Sequence, residues 1–308
     1  SLVGYNFLEF QTSASLYASF GQETYSSGVD IFNASLGAAQ SALMPEGNYE
    51  FSSDGILFAN EVLSLRDGKG AIIVKSSGND FDIAPTEQCG NDSGSRVSCV
   101  DANVDWWHQY PSVIVTAALR ADGLKSSYSS PGSVVWISGF GGEFGYDSTA
   151  YGLPEYIKGP AIMSTDKASC DAGYSNASSQ ARNAFEPEWL GEGGYRHPDN
   201  PDCNYLSIMN GTSSAAPSVS GAIALVLEAN PDLSYREVKH IIAATARQVD
   251  STFAPVIIDG ISYHEWRMNS AGYHHHNWYG FGAIDAESAV SYAENWDTSV
   301  YPFNVQEI

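Results

Sequence analysis

The segment Asn210-Gly211-Thr212-Ser213-Ser214-Ala215-Ala216-Pro217 carries the serine best placed for chemistry. A glycine turn runs into a helical pattern, setting a hydroxyl at a helix N-terminus, where unpaired N–H groups and the positive dipole end collect. Negative charge developing on a nearby oxygen is favoured there. Small residues after Ser213 let the helix approach a sheet and a substrate backbone closely. Pro217 is expected in the first helical turn, where its missing N–H has no partner to lose. Ser and Thr are also ordinary N-caps, so the hydroxyls alone fit a purely structural role too. A second segment, Ser76-Ser77-Gly78-Asn79, follows an apolar run and by composition reads as a turn.

The elements that must position these residues follow from the pattern. Apolar, β-rich runs alternate with helical ones, which predicts an α/β fold with a mostly parallel sheet. Strands are expected over Leu2–Leu8, Val29–Ser35, Ala71–Lys75, Val113–Ala118 and Val134–Ile137. Ser53–Leu65 has helical spacing and is broken by Asp67-Gly68-Lys69-Gly70. Residues 139–205, rich in Gly, Ser, Asn and Tyr, read as one long loop region, functional or disulfide-tied. Thr212–Ala229 gives the clearest helix. Ser234 caps the next, with Glu237 as its capping-box partner, and that helix ends near Ala246. Asp285–Asn295 is a third, and no internal repeat is visible.

Gly211–Pro217 resembles G-T-S-x-A-A-P, the nucleophile motif of the subtilisin-like serine proteases, or subtilases. Leu225–Val238 and Trp266–Trp296 resemble the kexin/furin branch, with Tyr279-Gly280-Phe281-Gly282 and Ile284-Asp285-Ala286 at the matching places. The resemblance covers nearly the whole chain. It implies a subtilisin-like three-layer α/β fold, incomplete at its N-terminal side, with residues 1–296 forming the C-terminal two-thirds of a catalytic domain. Residues 297–308 would be a linker leaving it. The implied activity is that of a serine endopeptidase acting through a Ser213 acyl-enzyme. Asn79 falls on the oxyanion-binding asparagine, with the Ser213 N–H as second donor. Ser35-Leu36-Gly37 resembles the edge segment that pairs with an extended substrate. Ser76, Ser77 and Gly78 would line the other wall, and Asn210 and Asp101 would be further substrate contacts.

The resemblance also has departures. Ala38-Ala39-Gln40 stands where furin and kexin place acidic residues, and Ser129-Ser130-Pro131 lacks the acidic residue of the kexin-type calcium site. Selectivity for paired basic residues is therefore not implied, and a broader preference fits as well. Family resemblance alone brings in a structural Ca²⁺, with no ligand set to name. A peptide or protein substrate, a propeptide and a C-terminal accessory domain are the implied partners.

A serine hydroxyl needs a base, and that base an orienting group. In subtilases the order is Asp, His, Ser, in D-[ST]-G and H-G-T contexts. Neither precedes the strand expected at Leu2–Leu8. Asp92-Ser93-Gly94 spells D-[ST]-G but lies beyond Asn79 and reads as a loop turn. His108, His197, His240 and His264 lack the H-G-T context, and His274-His275-His276 read as surface loop histidines. Three readings stay open. The base lies on sequence upstream, the chain is a non-catalytic relative or peptide-binding module, or it is an acyl hydrolase with another substrate.

Composition narrows the class. The 308 residues are 43% hydrophobic, enough for a sizeable core. A net charge of −22 repels nucleic acid and attracts cations, and also serves solubility. No apolar run is long enough to span a bilayer. The chain starts at Ser1 without a signal peptide, so removal of an upstream segment is expected. The four cysteines lack zinc spacing. Sequential pairing, Cys89–Cys99 and Cys170–Cys203, is preferred over the other pairings and over free thiols, and points to a secreted or periplasmic protein.

Overall fold

The computed structural model describes residues 2–6, 9–37, 60–81, 98, 100–145, 159–175, 199–258 and 260–298. Its centre is a parallel sheet of strands β1 (Ile31–Ala34), β2 (Ile72–Ser76), β3 (Val113–Leu119) and β4 (Val135–Phe140), in that order. Ile31 pairs with Ile72, Ile73 with Val113 and Val115 with Val135. Strand β2 and strand β3 are buried along their whole length, as runs of Ile and Val covered on both faces must be.

Alternation along the strands splits the core into two. Phe32, Ile73, Val113, Val115 and Ala117 face Phe20, Val62, Leu65, Trp107 and Tyr110. Ile72, Val74, Ile114 and Ile137 face the other way, onto helices α1 (Thr212–Ala229), α2 (Tyr235–Ala244) and α3 (Ala286–Glu294). This is the expected three-layer arrangement. Helix α1 lies close against the sheet because Gly139 of β4 has no side chain; a Cβ there would sit 2.6 Å from the Ala215 carbonyl. The capping box of α2 forms as read, with Ser234 and Glu237 each satisfying the other's backbone N–H.

Several expectations need correction. Residues 2–6 form no strand: Leu2 and Val3 are exposed, and the Tyr5 hydroxyl donates to the Tyr25 carbonyl instead of entering a ladder. Alternating apolar residues make a strand only where a partner offers hydrogen bonds, and among the described residues β1 has no neighbour on its outer edge. Residues 60–64 are helical, and the earlier part of Ser53–Leu65 lies outside the described residues. The long loop read over 139–205 contains strand β5 (Ile162–Thr165), which pairs antiparallel with β6 (Tyr205–Met209) directly before the Ser213 turn. Cys170–Cys203 is bonded, as preferred, and ties that excursion together. Cys89, Cys99 and Asp92-Ser93-Gly94 lie outside the described residues, as does the tail beyond 298.

Candidate active site

Helix α1 begins at Thr212, capped by Gly211, so Ser213 is its second residue and half-buried. Gly211 sits at φ +104°, a conformation that favours glycine, and a Cβ there would press on Asn79 Nδ2 at 3.3 Å. No side chain of the turn itself caps the helix. The caps come from elsewhere. Asn79 Oδ1 accepts from the Thr212 N–H at 2.8 Å and from the Thr212 hydroxyl at 2.9 Å. The Gly78 N–H donates to Thr212 Oγ1 at 3.2 Å. The Gly211 N–H donates to the Tyr128 hydroxyl at 2.7 Å, which itself reaches the Gly141 and Gly142 carbonyls. Burial pushes the Tyr128 phenol up to about 12, so it stays a protonated donor.

Two donors facing Asn79 Oδ1 fix which way its amide points. The oxygen is occupied by Thr212, so Nδ2–H₂ is what Asn79 can offer to anything else. The Ser213 N–H, second in the helix, has no intrahelical acceptor. Two N–H donors thus flank the Ser213 turn.

Ser35-Leu36-Gly37 leaves β1 beside this turn. Ser35 Oγ donates to the Ser213 carbonyl at 2.9 Å. Beneath the segment lies a feature the sequence reading missed. Lys75 Nζ donates to the Leu36 carbonyl at 2.6 Å and pairs with Asp105 at 2.9 Å, with the lysine side chain 1% exposed. Burial draws the Lys75 pKa down, and Asp105 opposes this. Burial pushes Asp105 up, but the Lys75 ammonium, the His108 ring and the Trp107 N–H together hold the carboxyl below its ordinary value. A charged residue ending an apolar strand, Ala71–Lys75, was the available signal, since a buried ammonium demands a partner.

The structure therefore brings Ser35, Leu36, Gly37, Gly78, Asn79 and Ser213 to one place, with Asn210 preceding the turn and its carbonyl accepting from the Ser214 hydroxyl. Ser76 and Ser77 lead into Gly78, the Ser77 N–H bonding to the Thr116 carbonyl. Asp101 is different: it caps the turn 102–104 through the Asn103 N–H and packs by Gly132. Gln40 lies outside the described residues. Pro217 needs correction as well. It is the sixth residue of α1, so it lacks the N–H that in an uninterrupted helix would bond to the Ser213 carbonyl.

The described histidines do not reach Ser213. His108 is buried with its ring nitrogens facing the Ala102 and Ser76 carbonyls, and burial pushes it down to about 4. His240 packs against Tyr273, and His264 against Trp278. Of His274–His276 only the first is exposed, and it lies in a two-residue strand paired with Met268 rather than in a loop. His275 Nε2 meets the Val135 carbonyl, and buried His276 accepts from the Trp278 N–H. His197 lies outside the described residues. Among the described residues no group of three or more His, Cys, Asp or Glu could hold a metal ion.

Residues 2–282 match the family model described as the subtilase family. The chain is 33% identical over 293 residues to the Aeromonas extracellular serine protease of Aeromonas sobria, covering 91% of this chain and 43% of that protein. It is 32% identical over 199 residues to human proprotein convertase subtilisin/kexin type 5, covering 58% of this chain and 9% of the convertase. The crystal structure of the Aeromonas sobria serine protease superimposes with a TM-score of 0.76 at 29% identity, covering 94% of this chain and 47% of that one. The chain thus spans less than half the length of the Aeromonas protein it matches.

Proposed function

From the premise that the chain belongs to the subtilase family, we propose that it carries the nucleophile and oxyanion half of a serine endopeptidase. The catalytic Asp and His would lie on sequence upstream of residue 1. One observation carries the reading: Asn79 Oδ1 is held by both donors of Thr212, which leaves Nδ2–H₂ as the outward-facing group next to Ser213.

Ser213 Oγ attacks the peptide carbonyl as its proton passes to the upstream base. The electron pair of the C=O bond moves to oxygen, and the Asn79 amide and the Ser213 N–H hold that charge. Collapse of the intermediate expels the amine, which takes that proton back from the base, and water then hydrolyses the ester with the same base accepting its proton. Segment 35–37 offers backbone groups to an extended substrate, with Lys75 and Asp105 as a rigid ionic support below it. Ser76, Ser77 and Gly78 form the facing wall, and Asn210 and Asp101 are assigned peripheral contacts. A peptide or protein is the substrate, and residues 1–296 act as one part of a catalytic domain. A propeptide and a C-terminal domain are further proposed partners. An extracellular location is supported by the Cys170–Cys203 disulfide and by the name of the Aeromonas relative.

An active-site fluorophosphonate tests this. Protease comprising residues 1–308 with its upstream sequence should be labelled at Ser213, and Ser213→Ala should abolish labelling. Residues 1–308 alone should not react. Full labelling of that chain alone would overturn the upstream base, and upstream sequence holding neither D-[ST]-G nor H-G-T would favour a non-catalytic relative.

A further inference from the structure

The helix that bears Ser213 has an internal gap, and a residue of the segment assigned to substrate fills it. In an uninterrupted helix the N–H of residue 217 would bond to the Ser213 carbonyl. Proline has no N–H. Ser35 Oγ donates to that carbonyl at 2.9 Å, from 178 residues away in the chain. The direction of the Ser35 proton is itself set: Asn33 Nδ2 donates to Ser35 Oγ at 3.0 Å, so the hydroxyl proton is turned to the carbonyl. The other end of the Asn33 amide accepts from Ser220 Oγ at 3.1 Å, further along α1. One exposed asparagine and one half-buried serine thus replace the missing helical bond and tie the end of β1 to the helix.

We propose that Ser35 is a positioning residue for the nucleophile: it holds the Ser213 peptide group that Pro217 leaves unheld, and so couples the segment that receives the substrate to the residue that attacks it. This rests on the assignment of Ser213 as nucleophile. Ser35 acts through the Ser213 backbone and touches no reacting atom. Released from Ser35, the Ser213 carbonyl can turn, and the Cα–Cβ bond and the N–H of the same residue turn with it. Attack and oxyanion binding both depend on that orientation. The substrate's affinity depends on other backbone groups of the segment and changes little.

The test uses the protease containing residues 1–308 together with its upstream sequence, with kcat and KM measured on one peptide substrate. Ser35→Ala should lower kcat about 3- to 10-fold, the scale of one net hydrogen bond, with KM changed less than about twofold. Ser35→Thr keeps the hydroxyl and should keep most of kcat. Asn33→Ala, which removes only the orienting amide, should lower kcat in the same direction by less. Pro217→Ala reinstates an N–H donor for the Ser213 carbonyl, so Ser35→Ala should cost clearly less kcat in that background. Unfolding midpoints are recorded for each variant. An unchanged kcat in Ser35→Ala, with or without lost stability, overturns the inference. So does an equal loss in the Pro217→Ala background, or a rise in KM alone. A parent protease that hydrolyses nothing would instead defeat the reading of Ser213.

Discussion

Asn79 is proposed to do two tasks with one amide: its oxygen caps the first turn of α1, and its nitrogen would hold an oxygen that carries charge only during reaction. Replacing it with alanine should lower kcat roughly 10²- to 10³-fold with KM little changed, the range measured for removal of such a donor from a subtilisin. The same substitution uncaps Thr212, so the urea midpoint should fall as well, and steady-state kinetics combined with unfolding curves separate the two effects. Lys75 and Asp105 make a second pair of linked fates. Lys75→Met leaves Asp105 buried without its cation and should cost about 3–5 kcal/mol, whereas Lys75→Met with Asp105→Leu should recover much of that loss. A double-mutant cycle in urea checks it; additivity of the single losses would contradict the buried pairing.

Helix α1 and the turn before it were legible because their signals are local: a glycine at the cap, small residues, then a 3.6-residue apolar period ending at Ala229. The capping box at Ser234 is equally local and formed as expected. The edge at Leu2–Leu8 was misread because a strand is half-specified by its neighbour, and no local pattern contains the neighbour. The fasteners of the site were illegible for the same reason. Tyr128 looks unremarkable in sequence, Ser35 and Thr212 stand out there only as members of motifs, and only the fold brings Tyr128 to the Gly211 N–H or Ser35 to the Ser213 carbonyl. Resemblance placed Asn79 beside Ser213; it did not say what holds either. At this scale the test is Tyr128→Phe, which deletes the acceptor of the Gly211 N–H inside the protein. A buried unsatisfied group costs about 1–3 kcal/mol. The variant should lose that much stability, and peptide hydrolysis should weaken with it.

Two properties belong to the whole molecule. Between its ordinary pKa of 6.5 and the folded value of about 4, His108 takes up a proton when unfolded but not when buried. Acid therefore favours the unfolded chain across that window, and stability should fall from pH 6.5 to pH 4 by at most about 3 kcal/mol from this ring. Urea midpoints at several pH values should show a shallower decline in His108→Gln; an identical decline would exclude the ring as the cause. Reduction of Cys170–Cys203, which closes a loop with a sequence separation of 33, should lower stability by about 2–4 kcal/mol, read as a drop in melting temperature with dithiothreitol.

The turn before Ser213 is fastened by residues 178, 133 and 83 positions away along the chain. Contacts of such separation form late, after the loops between them have been closed at an entropic cost. Helices and the central sheet can therefore build up while the turn is still loose. During refolding, far-ultraviolet ellipticity should recover ahead of any reactivity at Ser213, with a lag that lengthens when a fastener is removed. As the proposed nucleophile, the serine is then a chronometer of its own fold, ready only once segments 178 residues apart have met.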